Sequence, residues 1–519
     1  THRVSPFVVK GTVWALTIKD NILYNLNVKR FRKIGATMTS YDYETQPYDH
    51  QRTAFEDSWA AEFYALLMEM GTGKSKVAID TMGALYEAGK VNAALIVAPK
   101  GVYDNWIKGE VPLHLPKRIP RQIMRWTPAK TQRYEKELKD FIVNRQPLLK
   151  VFVINIEAFS SERGTEAATA YLYQNPDNIV IIDESTTIKN RKAARTKNVI
   201  ALQKRAKYRR VLTGSPITKS PMDLFSQCNF LAEKALGFNS YYAFQARYAN
   251  VQKRMMGHRS FQQIVGYRRL EELSEKLDRF SSRVLKVDCL DLPVKVYIRR
   301  EVPLTPEQVK LYMQMKKLAL AKLENGELAT TASVLTQIMR LQQICCGHLQ
   351  PDDGEIQTVK SNRLNELLDV TEELQGKAII WVTYTHDIQQ VSSALRDRFG
   401  PEAVATYYGA TPQDERQEIV EEFQRKDSPL RFFVGQPKTG GYGITLTAAN
   451  TVIYYSNSYD LEIRLQSEDR AHRIGQENKV TYIDLVSPGT IDEKILGALR
   501  NKIDIAGKVL GEEVQAWLR

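Results

Sequence analysis

Long apolar stretches are missing from this 519-residue sequence. No run approaches the roughly 18 consecutive apolar residues that a helix needs to span a bilayer, so we expect no contact with a membrane. Residues 7–14 are interrupted by Lys10 and lack the continuous apolar centre of a secretion signal. These absences predict an intracellular protein, in the cytoplasm or nucleoid of a bacterium, in a virus-infected cell, or in the nucleus of a eukaryote.

Cysteine is scarce, and its spacing is uninformative. The four cysteines are Cys228, Cys289, Cys345 and Cys346, and no two of them form a C-x-x-C pair. A secreted disulfide framework is therefore not expected. Two of these cysteines precede His348, but a second ligand pair at zinc-binding spacing is missing. We predict reduced thiols and no metal site of this kind.

Low-complexity segments are also absent, and the composition is that of a folded protein, with 43% hydrophobic and 26% charged residues. At roughly 150 residues per domain, the length predicts two to four domains. The formal net charge is +13. Such a charge favours a polyanionic partner such as a nucleic acid, although surface lysine and arginine also confer solubility.

A glycine-rich turn at residues 68–75 lies between an apolar run and a helix-like stretch. Backbone N–H groups in such a turn can approach the phosphates of a nucleotide at the start of a helix. Lys74 would reach the β- and γ-phosphates, and Ser75 would hold Mg²⁺. The strict pattern begins with glycine, where this chain has Met68, so an ordinary glycine turn is the alternative. The predicted nucleotide-binding residues here are Gly71, Thr72, Gly73, Lys74 and Ser75.

Two carboxylates, Asp183 and Glu184, directly follow the apolar run at residues 179–182. This is the edge at which open parallel sheets bind ligands. Asp183 is suited to holding Mg²⁺, and Glu184 is suited to accepting a proton from an attacking water. The alternative is a polar loop after a buried strand, and the upstream Gly-Lys-Ser loop makes that alternative less favoured.

A pair of arginines, Arg470 and Arg473, lies near the C-terminal end. On a helix, residues three apart share one face, so both side chains could point across a cleft. Their fixed cationic forks suit a γ-phosphate whose charge redistributes during hydrolysis. The alternative is a solvated helix whose arginines pair with Glu468 and Asp469.

Short apolar runs alternate with helix-like stretches in two regions, which is typical of strands buried on both faces of a parallel sheet. The first region contains the runs at residues 94–97, 151–154, 179–182 and 210–212. The second contains those at residues 378–382, 403–407, 431–434, 452–455 and 480–485. The fold class predicted is therefore α/β with two parallel-sheet lobes. Between them, residues 231–360 are predicted to be largely helical, with Thr305 capping one helix and Pro306 at its first position.

Over most of residues 47–490 the chain resembles superfamily-two helicase-type ATPases of the Swi/Snf group. Besides the motifs above, the resemblance depends on LIVAPK at residues 95–100 with Asn105-Trp106, LTGSPI at 212–217, QICCGH at 343–348, and GGYGITL at 440–446. The most specific segment is DRAHRIGQ at residues 469–476.

The resemblance implies two RecA-like lobes that hold ATP and Mg²⁺ between them. Gln51 would lie near the adenine, and Gly443 would approach the nucleotide from the other lobe. It also implies a duplex DNA track across both lobes, with Lys100, Thr213 and Lys438 near it. The predicted organisation is an N-terminal strand-rich appendage at 1–44, an ATP-binding first lobe with a helical protrusion at 45–285, a helical linker or protrusion at 286–360, and a second lobe at 361–519.

Three positions depart from the family pattern. Thr186 stands where a histidine that couples hydrolysis to movement is usual, Pro437 occupies part of a usual Ser/Thr-Lys pair, and Thr445 replaces a common asparagine. None of the three removes an ATPase residue. They bear on how strongly hydrolysis is coupled to movement.

We therefore predict a monomeric, nucleic-acid-stimulated ATPase that moves along duplex DNA and remodels DNA or complexes of DNA with bound proteins. Two alternatives stay open: a helicase that separates DNA or RNA strands, and a nucleotide-gated DNA clamp without productive turnover. The clamp is disfavoured by the presence of a full catalytic set, namely Lys74, Asp183, Glu184, Arg470 and Arg473.

Overall fold

The computed structural model describes residues 41–100, 102–129, 131–256, 259–290, 292–324, 331–351, 354–412, 414–440 and 444–510. Nearly all of the appendage predicted at residues 1–44 lies outside these ranges, and so does Gly443. The compact unit considered below begins at Tyr43.

A parallel sheet occupies the first part of this unit. Its described strands, in spatial order, are Arg121–Arg125, Leu149–Asn155, Ala93–Ala98, Asn178–Asp183, Tyr208–Leu212, Phe63–Met68 and Ser281–Val284. All neighbouring pairs run parallel. The strands at 93–98 and 178–183 are buried along their whole length, as the apolar runs predict for strands covered on both faces.

The strand order places distant parts of the sequence side by side. Phe63–Met68 pairs with Tyr208–Leu212, which in turn pairs with Asn178–Asp183. Since all three run parallel, their carboxyl ends lie at one edge of the sheet. The glycine-rich loop and the two carboxylates are thereby brought together.

A second parallel sheet follows, with the spatial order Lys295–Glu301, Val480–Val486, Ala449–Tyr454, Lys377–Trp381, Phe432–Gly435 and Val404–Tyr407. The prediction of an α/β chain with two parallel-sheet lobes is confirmed. The helical linker or protrusion predicted at residues 286–360 is wrong in one respect. Lys295–Glu301, which lies within it, is an edge strand of the second sheet and pairs with Val480–Val486. Charged residues flank its short apolar stretch at 296–298, and its partner lies far along the chain, so the local pattern does not indicate a buried strand.

The protrusion predicted to be helical contains a β-hairpin as well as helices. Ala249–Met256 pairs antiparallel with Arg259–Tyr267. Both strands mix polar and apolar residues, and neither sustains the strict alternation by which a half-buried strand is recognised. The predicted helix at Thr305 is confirmed as Pro306–Glu324. Thr305 Oγ1 accepts a hydrogen bond from the Gln308 N–H at 3.2 Å, and Gln308 Oε1 accepts one from the Thr305 N–H at 3.0 Å.

The helices cover both sheets. Up to residue 290 the α-helices are Asp49–Ser58, Lys74–Glu87, Tyr103–Asn105, Val111–His114, Gln132–Val143, Glu162–Gln174, Ala194–Ala201, Leu224–Leu231, Tyr241–Tyr248, Leu270–Asp278 and Lys286–Cys289. Later α-helices are Pro306–Glu324, Thr331–Cys346, Arg363–Glu373, Thr385–Phe399, Glu415–Gln424, Pro437–Gly440, Leu461–Glu468 and Ile491–Leu510. Within the described ranges, none of these helices is both long and apolar enough to cross a bilayer.

Candidate active site

The glycine-rich loop joins the strand Phe63–Met68 to the helix Lys74–Glu87. Gly71 and Gly73 have φ angles of 81° and 86°, in the left-handed region that favours glycine. A Cβ on Gly73 would lie 2.2 Å from Gln51 Nε2, so a side chain there would displace Gln51. The backbone N–H groups of the loop and Lys74 therefore lie at the N-terminal, positive end of a helix, as an anion-binding site requires. Ser75 follows in the first turn and is partly exposed.

The Gln51 side chain is hydrogen-bonded to the backbone of this loop. Its Nε2 donates to the Thr72 carbonyl at 3.1 Å, and its Oε1 accepts from the Tyr48 N–H at 3.1 Å. His50, which belongs to no motif in the sequence, contacts the same Thr72 carbonyl through Nε2 at 2.8 Å. The adenine contact implied for Gln51 stays a prediction, whereas its support of the loop is a direct observation.

The two carboxylates face the loop lysine. Lys74 Nζ lies 3.7 Å from Glu184 Oε1, and both side chains are nearly buried. Glu184 has a φ of 46°, which is uncommon for a residue with a side chain. Such strain costs roughly 1–3 kcal/mol and persists where the surrounding structure enforces it, often at functional sites.

Asp183 is fixed by two hydrogen bonds. Its Oδ1 accepts from the Glu184 N–H at 3.0 Å, and its Oδ2 accepts from Trp106 Nε1 at 2.9 Å. Trp106 belongs to a π-helix, Trp106–Glu110, a rare geometry found frequently at functional sites. In the sequence, Trp106 is distinguished only as part of the family resemblance, which implies no role for it.

Burial controls the ionisation of these acids. Desolvation raises the pKa of Asp183, and the Lys74 ammonium and the Trp106 hydrogen bond oppose that rise. Desolvation also raises the pKa of Glu184 to about 7, with Lys74 opposing the rise and Asp183 and Glu462 adding to it. A carboxyl whose pKa lies near neutrality can both accept and release a proton at physiological pH.

The arginines predicted to share a helix face do not lie on a helix. The helix Leu461–Glu468 ends before them, and Arg470 and Arg473 lie in the following turns. The turns are fixed by long-range partners that periodicity does not reveal, such as the Arg470 carbonyl, which accepts from the Leu446 N–H at 2.9 Å. The alternative, a solvated helix whose arginines pair with Glu468 and Asp469, fails at the same point, because no helix extends through these residues.

Both arginines nevertheless reach the glycine-rich loop of the other lobe. Arg470 Nη2 lies 3.6 Å from the Met70 sulfur, while its Nη1 donates to the Ile444 carbonyl at 2.9 Å. The Arg473 stem lies against Gly71, where an added Cβ would be 3.6 Å from Arg473 Cγ. Arg473 Nη1 donates to the Thr445 hydroxyl at 3.2 Å.

A buried lysine at the junction of the two sheets ties these turns to the loop. Lys286 Nζ donates to Asp469 Oδ1 at 2.6 Å and to the His472 carbonyl at 2.9 Å. Its backbone N–H donates to Glu69 Oε2 at 2.6 Å. Nothing in the sequence indicates this role for Lys286, because an isolated lysine between two lobes belongs to no motif.

The residues predicted near DNA do not converge on this site. Lys100 and Lys438 are exposed, and their contacts with DNA stay predictions. Thr213 is fully buried, and its hydroxyl accepts from the Ser215 N–H at 3.2 Å. A direct DNA contact by Thr213 would therefore need a rearrangement of its loop.

Comparisons with known proteins give matches over most of the chain. Residues 63–349 match the SNF2-related domain, and residues 359–475 match the helicase conserved C-terminal domain. YwqA of Bacillus subtilis is 28% identical over 466 residues, which are 86% of this chain and 46% of that protein. The mouse DNA annealing helicase and endonuclease ZRANB3 is 28% identical, covering 86% of this chain and 39% of that protein. The yeast transcription regulatory protein SNF2 is 27% identical, covering 87% and 27%.

The chain thus spans less than half the length of these curated relatives. Among solved structures, the SWI2/SNF2 ATPase core of Sulfolobus solfataricus in complex with dsDNA is 23% identical, covers 91% of this chain and 95% of that chain, and gives a TM-score of 0.40. At that TM-score, the likeness supports no conclusion about geometry.

Proposed function

Since the chain belongs to the SNF2-related family, we propose that it is an ATP-dependent motor that translocates on duplex DNA. The observation that carries this proposal is the reach of Arg470 and Arg473 from the second lobe to the glycine-rich loop of the first. A nucleotide held in that loop would lie against both lobes. Binding and hydrolysis would therefore change how the lobes close, which is how such machines convert chemical energy into movement.

In this proposal each residue of the site has a separate role in ATP hydrolysis. Lys74 and the loop N–H groups bind the β- and γ-phosphates. Glu184 takes a proton from the water that attacks the γ-phosphorus, and the bond to the ADP oxygen breaks. Arg470 and Arg473 stabilise the charge that develops on the transferred phosphoryl group. The products are ADP and inorganic phosphate, and the loss of the γ-phosphate weakens the contact between the lobes.

The residues present also fit Mg²⁺, which prefers oxygen ligands. Asp183 offers a fixed carboxylate at the edge of the sheet, and the Ser75 hydroxyl lies in the first turn of the loop helix. The ion would neutralise phosphate charge and orient the γ-phosphate. We assign Asp183 and Ser75 as its ligands within this proposal.

Movement without strand separation is favoured by the short segment between Leu446 and Gln466. A wedge hairpin inserted there would suit a strand-separating helicase. The strand Ala449–Tyr454 and the helix Leu461–Glu468 occupy most of that interval. The remaining loop has little length from which to build a wedge.

We expect the purified chain to displace the third strand of a DNA triplex when ATP is present, and to open a forked duplex of equal length poorly. Electrostatic contacts with phosphates weaken as salt rises, so displacement should fall steeply between about 50 and 200 mM salt. The measurement is the fluorescence of a labelled third strand and of a labelled fork strand, followed in parallel. The matched control is Glu184→Gln, which should bind the same DNA and displace neither strand.

The helicase alternative has one specific observation in its favour. The hairpin formed by Ala249–Met256 and Arg259–Tyr267 carries exposed Lys253, Arg254 and Met255 on its first strand. A basic hairpin can act as a wedge in its own right. Efficient fork opening with no triplex displacement would reject translocation without strand separation and would favour this second function.

A further prediction concerns Trp106, whose indole N–H fixes Asp183. Trp106→Phe keeps most of the buried ring but removes the hydrogen bond. Hydrogen bonds to charged groups contribute roughly 1.5–3 kcal/mol, so a loosened Asp183 should raise the Mg²⁺ concentration for half-maximal ATPase about tenfold. Titration of Mg²⁺ at saturating ATP measures this.

A second tryptophan provides the control for that experiment. Trp381 is equally buried in the second lobe, and its Nε1 has no hydrogen-bond partner within the described residues. Trp381→Phe should therefore cost packing without changing the Mg²⁺ dependence. If both variants shift the Mg²⁺ requirement equally, the Trp106 hydrogen bond does not position Asp183.

A further inference from the structure

One carboxylate of the second lobe reaches the loop that carries Glu184. Glu462 lies in the first turn of the helix Leu461–Glu468. Its Oε1 accepts from the Thr186 hydroxyl at 2.8 Å, and its Oε2 accepts from Lys189 Nζ at 2.7 Å. The Glu462 and Lys189 side chains are almost withdrawn from solvent, with 11% and 16% exposed, and Thr186 is fully buried. The contact is therefore a shielded junction between the lobes, unlike a solvated ion pair.

The same carboxylate joins elements that the proposed hydrolysis uses. Lys189 Nζ also donates to the Thr218 hydroxyl at 2.8 Å, in the loop that follows the strand Tyr208–Leu212. On the second lobe, Gln466 Nε2 lies 3.3 Å from Glu462 Oε1, and the Gln466 carbonyl accepts from Arg470 Nε at 2.9 Å. A continuous set of hydrogen bonds thus runs from the Glu184 loop, through Glu462, to one of the trans-acting arginines.

We propose that Glu462 is a positioning residue that couples closure of the lobes to the arrangement of the Glu184 loop, through its paired contacts with Thr186 and Lys189. This inference rests on the proposed ATPase function for its catalytic consequence, whereas its conformational part stands independently. Glu462 can make these contacts only when the lobes approach each other. Thr186 is two residues from Glu184, so the contact holds the loop bearing the general base in the closed state and leaves it less constrained in the open state.

The hydroxyl of Thr186 allows a clean test. Thr186→Val keeps the shape of the side chain and removes the donor, while Thr186→Ser keeps the donor. We expect Thr186→Val and Glu462→Ala each to lower the DNA-stimulated kcat about tenfold, with the KM for ATP within twofold of the wild-type value. Thr186→Ser should stay within twofold of wild type in both. Because the two residues act through one contact, the double variant Thr186→Val with Glu462→Ala should be no slower than Glu462→Ala alone.

A matched control separates the contact from simple loss of charge. Glu493 also belongs to the second lobe and pairs with Arg299 of the same lobe. Glu493→Ala removes the same charge without affecting the junction, so we expect it to leave kcat unchanged. Equal kcat in wild type, Thr186→Val and Glu462→Ala would overturn the proposal, and so would additive losses in the double variant.

Measuring the closure of the two lobes directly tests the role of Glu462 without depending on ATP hydrolysis. Lys139 and Asp397 are exposed on the first and second lobe, and Cys289 is the cysteine that is not buried. With Cys289→Ser, Lys139→Cys and Asp397→Cys in the full chain, donor and acceptor dyes report lobe closure by energy transfer. In the presence of a non-hydrolysable ATP analogue and duplex DNA, we expect Thr186→Val and Glu462→Ala to reduce the closed fraction severalfold, and Glu493→Ala to leave it unchanged.

The two parts of the experiment distinguish the two proposals. A wild-type protein that closes but never hydrolyses ATP would reject the proposed function, while the energy-transfer comparison would still decide the role of Glu462. Equal closed fractions in wild type and Glu462→Ala would overturn that role even if the wild-type protein hydrolyses ATP rapidly.

Discussion

Replacing Arg473 with alanine is expected to lower DNA-stimulated ATP hydrolysis by roughly 10³ or more, the range over which trans-acting arginines contribute. The reason is the position of its stem against Gly71, on the opposite lobe, from which the guanidinium can meet the transferred phosphoryl group. ATP affinity should change little, because Lys74 and the loop N–H groups belong to the first lobe. Steady-state kcat and the binding of a fluorescent ATP analogue, measured on the same preparations, provide the test.

Two further variants show what Arg473 supplies. Arg473→Lys keeps the positive charge but not the planar fork, so most of the loss should remain. Arg425 is an exposed arginine of the same lobe that pairs with Glu422. Arg425→Ala should therefore hydrolyse ATP at the wild-type rate. If Arg473→Ala also hydrolyses ATP at that rate, Arg473 has no catalytic role.

Replacing Glu184 with glutamine is expected to slow hydrolysis by roughly 10²–10⁴, the usual contribution of a positioned general base. Glutamine has the same shape and can keep contacts at this position, but it cannot accept the proton of the attacking water. ATP binding should be preserved, since the phosphates are held by the glycine-rich loop. A variant that binds ATP yet turns over at nearly the normal rate would remove Glu184 from this role.

The pH profile provides an independent measurement of the same residue. Burial raises the pKa of Glu184 to about 7, above the ordinary glutamate range. A general base acts in its ionised form, so kcat/KM should rise about tenfold per pH unit below pH 7 and level off above it. That acidic limb should be absent in Glu184→Gln. An unchanged limb in the variant would assign the titration to another group.

The edge strand Lys295–Glu301 shows where prediction from sequence fails. Its neighbour Val480–Val486 contains the apolar run predicted at residues 480–485: five of its seven residues are hydrophobic, and the strand is mostly buried. Lys295–Glu301 itself is largely exposed and charged, and the hydrogen bonds that hold it come from that remote partner. A strand that is buried on both faces needs a largely apolar sequence. Backbone pairing at an exposed edge places no such requirement on the side chains.

The sequence by itself determined the parts of the candidate site that lie within one short segment. A phosphate-binding turn needs glycines, a lysine and a hydroxyl at fixed spacing, and a buried parallel strand that ends in carboxylates needs an apolar run before them. Both requirements are met within a few residues, so residues 68–75 and 179–184 could be identified before any geometry was known.

Only the tertiary structure decided how these segments meet and what holds them. The strand order brings Lys74 to Glu184, a π-helix aims Trp106 at Asp183, and Glu462 crosses from the other lobe to Thr186. Each of these contacts joins single residues that are far apart in the chain. The motifs predict that Lys74 and Glu184 serve one site, but the contacts of Trp106 and Glu462 depend on the packing of whole lobes and impose no spacing on their neighbours, so no periodicity or motif reveals them.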